Sequence, residues 1–339
     1  MLSVFDHGPF APCPAPFNLA AHVLRHAAAL AGKTALSVLG PEGAEDWSYK
    51  QLEAAVRGTG TGLLQAGLTP GDIVLMRLGN TVDFPIAYLG AIAAGLVPVP
   101  TSAQLTETET APMIAELKPA AVLRDPSVAC AAHPRQITLP ALETMRSLPP
   151  CGYALGDPER LAYVVYTSGT SGKPRAAAHA HRAIWARQMM VDGWYGLTED
   201  DRLLHAGAFN WTFTLGTGLM DPWAAGATAL IPAAGTAPEA LPGLLRQHGA
   251  TLFAAAPGVF RKMLQAGNTL DLPALRHGLC AGEKLPQRLH EQWQAATGTG
   301  LFEAYGMSEC STFISSRPDH PARGGALGQP QEGRRVAIL

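Results

Sequence analysis

Tyr166-Thr167-Ser168-Gly169-Thr170-Ser171-Gly172-Lys173-Pro174-Arg175 is the stretch from which the rest of the chain is read. An apolar run at 161–166 leads into it, and a run compatible with a helix begins near His181. Between them lie small hydroxyl residues, the glycines Gly169 and Gly172, and one lysine. Such a loop bends tightly and can aim backbone N–H groups, hydroxyls and one ammonium at a single point. A polyphosphate suits that chemistry; a solvated turn is the other reading the composition allows. The spacing is not that of the usual P-loop. That motif needs a glycine where Thr167 stands and a Ser or Thr in place of Pro174.

Composition narrows the classes. A chain of 339 residues can form two or so packed lobes with real cores. The net charge is −2, charged residues make up 15%, and no basic run appears, so nucleic acid is not an expected partner. Cys13, Cys130, Cys151, Cys280 and Cys310 are scattered and without CxxC spacing. Reduced thiols in the cytoplasm are expected from that, rather than disulfides or zinc. The N-terminus carries Asp6 and His7 and lacks a signal-peptide pattern. The most apolar region, 84–100, is broken by Pro85, Gly90, Gly95 and Pro98, and reads as a buried helix followed by a strand rather than a membrane span.

Taken in order, the pattern alternates. Asn18 caps a helix with Leu19, Val23, Leu24, Ala27 and Leu30 on one face and Gly32 at its end. Ser48 and Gln51 have capping-box spacing ahead of a stripe of Leu52, Ala55, Val56, Leu63 and Leu64, with Gly67 at the C-terminal cap. Strands are expected at 73–78, 96–99 and 120–123, and a helix at 81–94. After a Pro-rich boundary at 134–158, strands follow at 161–166, 228–231, 251–255, 277–281 and 301–304. Helices are expected at 181–191 and between the last two strands. The expected class is α/β, with two mainly parallel sheets flanked by helices. The expected division is an N-terminal subdomain at 1–158, a second at 159–320, and the start of a small, barrel-like β subdomain at 321–339.

Three further stretches carry chemistry. Phe302-Glu303-Ala304-Tyr305-Gly306-Met307-Ser308-Glu309 sits at the carboxyl end of an expected strand, where open α/β sheets bind ligands. An aromatic ring beside glycine can stack a flat base, and a carboxylate a few residues on can hold Mg²⁺ with phosphate oxygens and waters. A surface turn with Glu309 as a solvated acid is the bland alternative. Gly282-Glu283-Lys284-Leu285-Pro286 joins a strand to a helix and allows close backbone approach to a purine edge, or is a plain turn. In the stretch 205–216, Phe209, Trp211 and Phe213 suit a flat or apolar acid, or fill the core. His179, His181 and His205 lack a carboxylate or cysteine to complete a metal set and are expected to be satisfied loop or helix histidines.

Residues 166–175 resemble the signature phosphate loop of the adenylate-forming (AMP-binding) enzymes, which include acyl- and aryl-CoA synthetases, amino-acid adenylation domains and luciferases. Arg175-Ala176 stands where the family has Lys-Gly. The resemblance extends over nearly the whole chain, and the run Gly226-Ala-Thr-Ala229 is similar to that of benzoate- and aminobenzoate-CoA ligases. It implies ATP, Mg²⁺ and coenzyme A as co-substrates and a small-molecule carboxylic acid as partner, with homodimerisation left open. It assigns Thr167, Ser168, Gly169, Thr170, Ser171, Gly172 and Lys173 to the ATP phosphates, with Thr167, Lys173 and Glu309 catalytic and Glu309 holding Mg²⁺. Gly282, Glu283, Lys284, Glu303, Ala304, Tyr305, Gly306, Met307 and Ser308 would line the nucleotide site. Phe209, Asn210, Trp211 and Thr212 would line the acid pocket. Amino-acid adenylation domains have Asp where Asn210 stands, so a buried substrate ammonium would be poorly compensated here. Gly325 to Gly333 is similar to the family's glycine-proline motif.

The implied activity is acid–thiol ligation through an acyl-adenylate. A medium-chain fatty acyl-CoA synthetase and a non-catalytic nucleotide-binding relative are the alternatives. The family's usual chain continues through a Tyr-x-x-Gly-Asp element, a hinge and a small C-terminal domain with its adenylation lysine, all of which fall beyond residue 339. These residues alone are therefore expected to turn over poorly.

Overall fold

The computed structural model describes residues 3–6, 8–40, 43–167, 174–265, 269–323 and 325–338. The glycine-rich loop at 168–173, with its six implied phosphate ligands, lies outside the described residues.

Local signals set the helix starts. The Asn18 side chain accepts from Ala20 N at 2.9 Å and Ala21 N at 3.2 Å, and its amide donates to Ile92 O and Ala154 O, tying this cap to two other segments. The regular helix Leu19–Val23 then gives way to turns, although Leu24 and Ala27 stay buried on the expected face. Ser48 and Gln51 close a reciprocal capping box at the start of the helix Tyr49–Gln65. Gly67, at φ +81°, follows that helix in the left-handed conformation.

The first strands in chain order are β1 (Ser3–Asp6), β2 (Thr34–Gly40), β3 (Gly43–Ser48), β4 (Ile73–Arg77), β5 (Val97–Pro100), β6 (Ala121–Arg124) and β7 (Gln136–Thr138). Next come β8 (Leu161–Thr167), β9 (Arg175–Ala180), β10 (Arg202–Ala206), β11 (Thr228–Pro232), β12 (Leu252–Ala255) and β13 (His277–Cys280). The last four are β14 (Gly300–Met307), β15 (Ser311–Ser315), β16 (Gln329–Pro330) and β17 (Arg335–Ile338). Two mainly parallel sheets dominate. One has the order β5-β4-β6-β7; the other runs β16-β15-β14-β13-β12-β10-β11-β2-β3, parallel from β14 through to β2. Strands β12 and β13 are buried at every position, as expected of strands covered on both faces. Helices such as Asp83–Ala93 and Gln287–Thr297 supply the cover.

Three features depart from the sequence pattern. Strands β2 and β3 pair antiparallel and β2 also pairs with β11, so an N-terminal segment belongs to the large sheet. The second concerns β8, expected to lead through its loop directly to a helix. It instead pairs antiparallel with β9, placing Tyr166 opposite Ala176 and Val164 opposite Ala178. Alanine propensity favours helix, but small residues fit opposite the Tyr- and Val-rich β8, and pairing overrides the propensity. Finally, β14 runs on to Met307 because β15 extends its ladder. Among the described residues no sheet closes into a barrel; β16 edges the large sheet and β17 pairs with β1. No helix there is long and apolar enough to cross a membrane.

Candidate active site

The carboxyl ends of β10, β13 and β14 gather the implied site residues on one side of the large sheet. After β13 the chain turns at Gly282, whose φ of +96° a side chain would strain, and where an added Cβ would meet the Trp211 ring at 2.8 Å. Glu303 is buried on β14, and its carboxylate accepts from Leu285 N at 2.8 Å, fastening the 282–286 turn to that strand. Burial raises its pKa, opposed by that N–H and by Lys284.

A cavity of about 440 Å³ lies between these two segments, lined by Gly282, Glu283, Lys284, Glu303, Ala304, Tyr305, Gly306, Gly325 and Leu327. Tyr305 is 46% exposed and makes a T-shaped pair with Phe313, ring centroids 5.4 Å apart. A second cavity of about 330 Å³ shares Gly282 and Gly306 with the first. It adds Trp211, Thr212, Phe213, Met190, Ala281, Met307, Ser308 and Thr312, together with Arg187, Thr217 and Ser311. Asn210 is half-buried beside it, whereas Phe209 packs against Phe84 in the core, its N–H held by Asn80. Of the expected acid-pocket residues, the cavity thus takes Trp211 and Thr212 and adds Phe213.

Glu309 is exposed on the turn 308–310 between β14 and β15. The hairpin β8–β9, which carries the glycine-rich loop, comes up to this turn. His179 on β9 stacks on Tyr163 and lies against the Ser308 backbone within reach of the Glu309 charge. Burial lowers its pKa; Ser308 opposes that shift, Arg187 adds to it and Glu309 opposes it. Thr167, at the end of β8, pairs with Arg175 across the loop's base. The other two histidines have separate tasks. His181 Nδ1 accepts from Leu19 N at 3.0 Å, whereas His205, expected to be satisfied, is fully buried beside Phe213 with no partner for either ring nitrogen among the described residues.

Sequence reasoning missed the polar floor. Arg187 Nε and Nη2 grip the Asp221 carboxylate at 2.8 and 2.5 Å, Tyr195 donates to the same carboxylate at 2.8 Å, and Arg187 Nη1 donates to Ser311 Oγ at 2.6 Å. Burial presses Arg187 towards deprotonation, but Asp221 and two tyrosines outweigh it and raise its pKa. The available signal was a lone cation in the apolar run 183–191 and a lone acid in 213–225.

The family model described as AMP-binding enzyme matches residues 23–339. The chain belongs to that family. Among curated relatives, 3-hydroxybenzoate–CoA ligase of Aromatoleum sp. (strain CIB) is 28% identical over 88% of this chain and 61% of its own length. Benzoate–CoA ligase of Thauera aromatica is 28% identical over 100% of this chain and 68% of its own. A solved benzoate CoA ligase from Burkholderia xenovorans LB400 superposes with a TM-score of 0.81 at 26% identity, covering 93% of this chain and 66% of that one. The chain spans 61–68% of the length of these relatives.

Proposed function

We propose that this chain forms the nucleotide- and acid-binding part of an ATP-dependent acid–thiol ligase acting on an aryl or other flat apolar acid. The observation that carries the reading is the pair of adjoining cavities that share Gly282 and Gly306, one bearing Tyr305 and the other Trp211 and Phe213. Strand β9, which follows the glycine-rich loop, supports it: the Ser308 backbone and the Glu309 charge both act on His179.

In this reading a carboxylate oxygen attacks the α-phosphorus of ATP, pyrophosphate leaves, and the thiol of coenzyme A then displaces AMP from the acyl-adenylate. A carboxylate is a weak nucleophile meeting a polyanion, so the protein's task is positioning and charge neutralisation. Tyr305 offers its ring to the base, and Gly282 lets backbone approach the base edge. Glu303 holds that wall in place through Leu285. Thr167 and residues 168–173 are assigned to the β- and γ-phosphates, with Lys173 as the cation. Trp211, Thr212, Phe213 and Met307 sandwich the acid. Glu309 is an exposed carboxylate at the cleft, which suits an Mg²⁺ that keeps waters and binds mainly phosphate oxygens. When bound, that ion would neutralise phosphate charge.

Aryl acids are favoured over alkyl ones by the aromatic walls and by the substrates named for the two curated relatives. Acid-dependent ATP–pyrophosphate exchange on the full-length protein tests both levels. With benzoates, aminobenzoates and C4 to C12 alkyl acids, exchange is expected for the aryl acids. Exchange with alkyl acids alone would overturn the aryl assignment, and no acid-dependent exchange would overturn the ligase.

A further inference from the structure

The lining of the acid cavity is not wholly apolar. Arg187, Thr217 and Ser311 belong to it and are joined to Asp221 and Tyr195 in one hydrogen-bonded network, buried except at Ser311. Donors and acceptors there can be counted. Arg187 spends its Nε hydrogen on Asp221 Oδ1 and its Nη2 hydrogens on Asp221 Oδ2, with Tyr195 and Thr217 at 3.3 and 3.4 Å. One Nη1 hydrogen goes to Ser311 Oγ. Tyr195 donates to Asp221, so at the 2.8 Å contact between Tyr195 and Thr217 the threonine is the donor. Among the described residues this network leaves three capacities unfilled: the second Nη1 hydrogen, the Ser311 hydroxyl hydrogen and a Thr217 lone pair. Thr212, Ser308 and Thr312 add hydroxyls elsewhere on the cavity wall.

That inventory selects a substituent. A hydroxyl accepts from Arg187 or Ser311 and donates to Thr217, filling both kinds of vacancy. An aromatic amine accepts poorly and would face two donors. A second carboxylate would meet an arginine already neutralised by Asp221, at 2.5 Å and buried on both sides. A methyl or unsubstituted ring would displace water from the donors without replacing its hydrogen bonds.

Resting on the ligase reading above, we propose that the cognate acid is an aryl acid carrying a neutral hydroxyl, read by Arg187, Ser311 and Thr217. Arg187 is then a specificity-determining residue as well as a packing one. The test compares acid-dependent exchange, as kcat/KM, for 3- and 4-hydroxybenzoate against the matching methyl-, amino- and carboxy-substituted benzoates. The best hydroxy acid is expected to exceed its methyl counterpart on the order of 10- to 100-fold, the range for a hydrogen bond involving a charged donor. Thr217→Val and Ser311→Ala should each shrink that ratio while leaving the ATP KM near its original value. Arg187→Lys, which keeps the charge opposite Asp221 but loses the fork, should shrink it further. Methyl, amino or carboxy acids matching the hydroxy acids would overturn the proposal and leave the ligase standing. So would a hydroxyl preference that survives all three substitutions. Absence of exchange with every acid tested, on the full-length protein, would overturn both.

Discussion

His179 lies on Tyr163 across the β8–β9 hairpin, ring centroids 4.6 Å apart and planes 4° from parallel, and from there reaches the Ser308 backbone. Tyr163 packs edge-on against Tyr88 of the helix Asp83–Ala93. The hairpin carrying the glycine-rich loop is thereby braced on one side by the N-terminal core and on the other by the turn at Glu309. His179→Leu should cost about 0.5–1.5 kcal/mol from the lost ring pair and raise the ATP KM several-fold while the acid KM changes less. Steady-state kinetics of the variant, varying each substrate in turn, check this; equal rises in both would place His179 in general stability alone.

Arg187 and Asp221 are buried together, so removing one charge strands the other. Asp221→Asn should destabilise the fold by about 3–5 kcal/mol, as for other broken buried pairs. Urea unfolding of the two proteins side by side measures it. A loss within 1 kcal/mol or so would mean that water or a neighbour compensates Arg187.

Acid should weaken the fold through its histidines. Burial holds His205 down to about 3, and His181 and His277, by burial first, down to about 4, all from 6.5. Below 6.5 the unfolded chain takes up protons that the folded chain refuses. Stability is therefore full above that value and lost as the pH falls towards 4, by up to about 1.4 kcal/mol per pH unit for each group. Unfolding midpoints between pH 7.5 and 4.5 should fall accordingly, and His205→Gln should flatten the slope. A profile unchanged by that substitution contradicts the assignment.

Gly282 couples the two cavities through Trp211. In Gly282→Ala the new Cβ meets the indole at 2.8 Å in a backbone conformation with φ of +96°, so the ring must shift. The expected result is a changed tryptophan emission together with a raised acid KM. An unchanged acid KM would remove Trp211 from the acid wall.

The alternation of strands and helices was legible because each parallel strand is a short apolar run between turn signals, as at β4, β12 and β13. Caps at Asn18 and Ser48 were legible because their partners lie within three residues. Features set by distant partners were not. The sequence of β9 is alanine-rich and becomes a strand only through β8, and β2 joins the large sheet only through β11, nearly two hundred residues away. Likewise the aromatics at 209–213 could be assigned to one segment but not sorted. Trp211 and Phe213 line the cavity while Phe209 enters the core, and only packing sends Phe209 to Phe84 and Trp211 to Gly282. The Arg187 network joins residues from four segments and has no local signature.

The central claim is that the loop-bearing hairpin, the Tyr305 strand and the Trp211 segment enclose one acyl-adenylate. Calorimetric titration with a non-hydrolysable benzoyl-adenylate analogue tests it without requiring turnover. One molecule should bind per chain, and Tyr305→Ala and Trp211→Ala should each weaken it by about tenfold or more. No binding, or binding that neither substitution alters, would contradict a shared site.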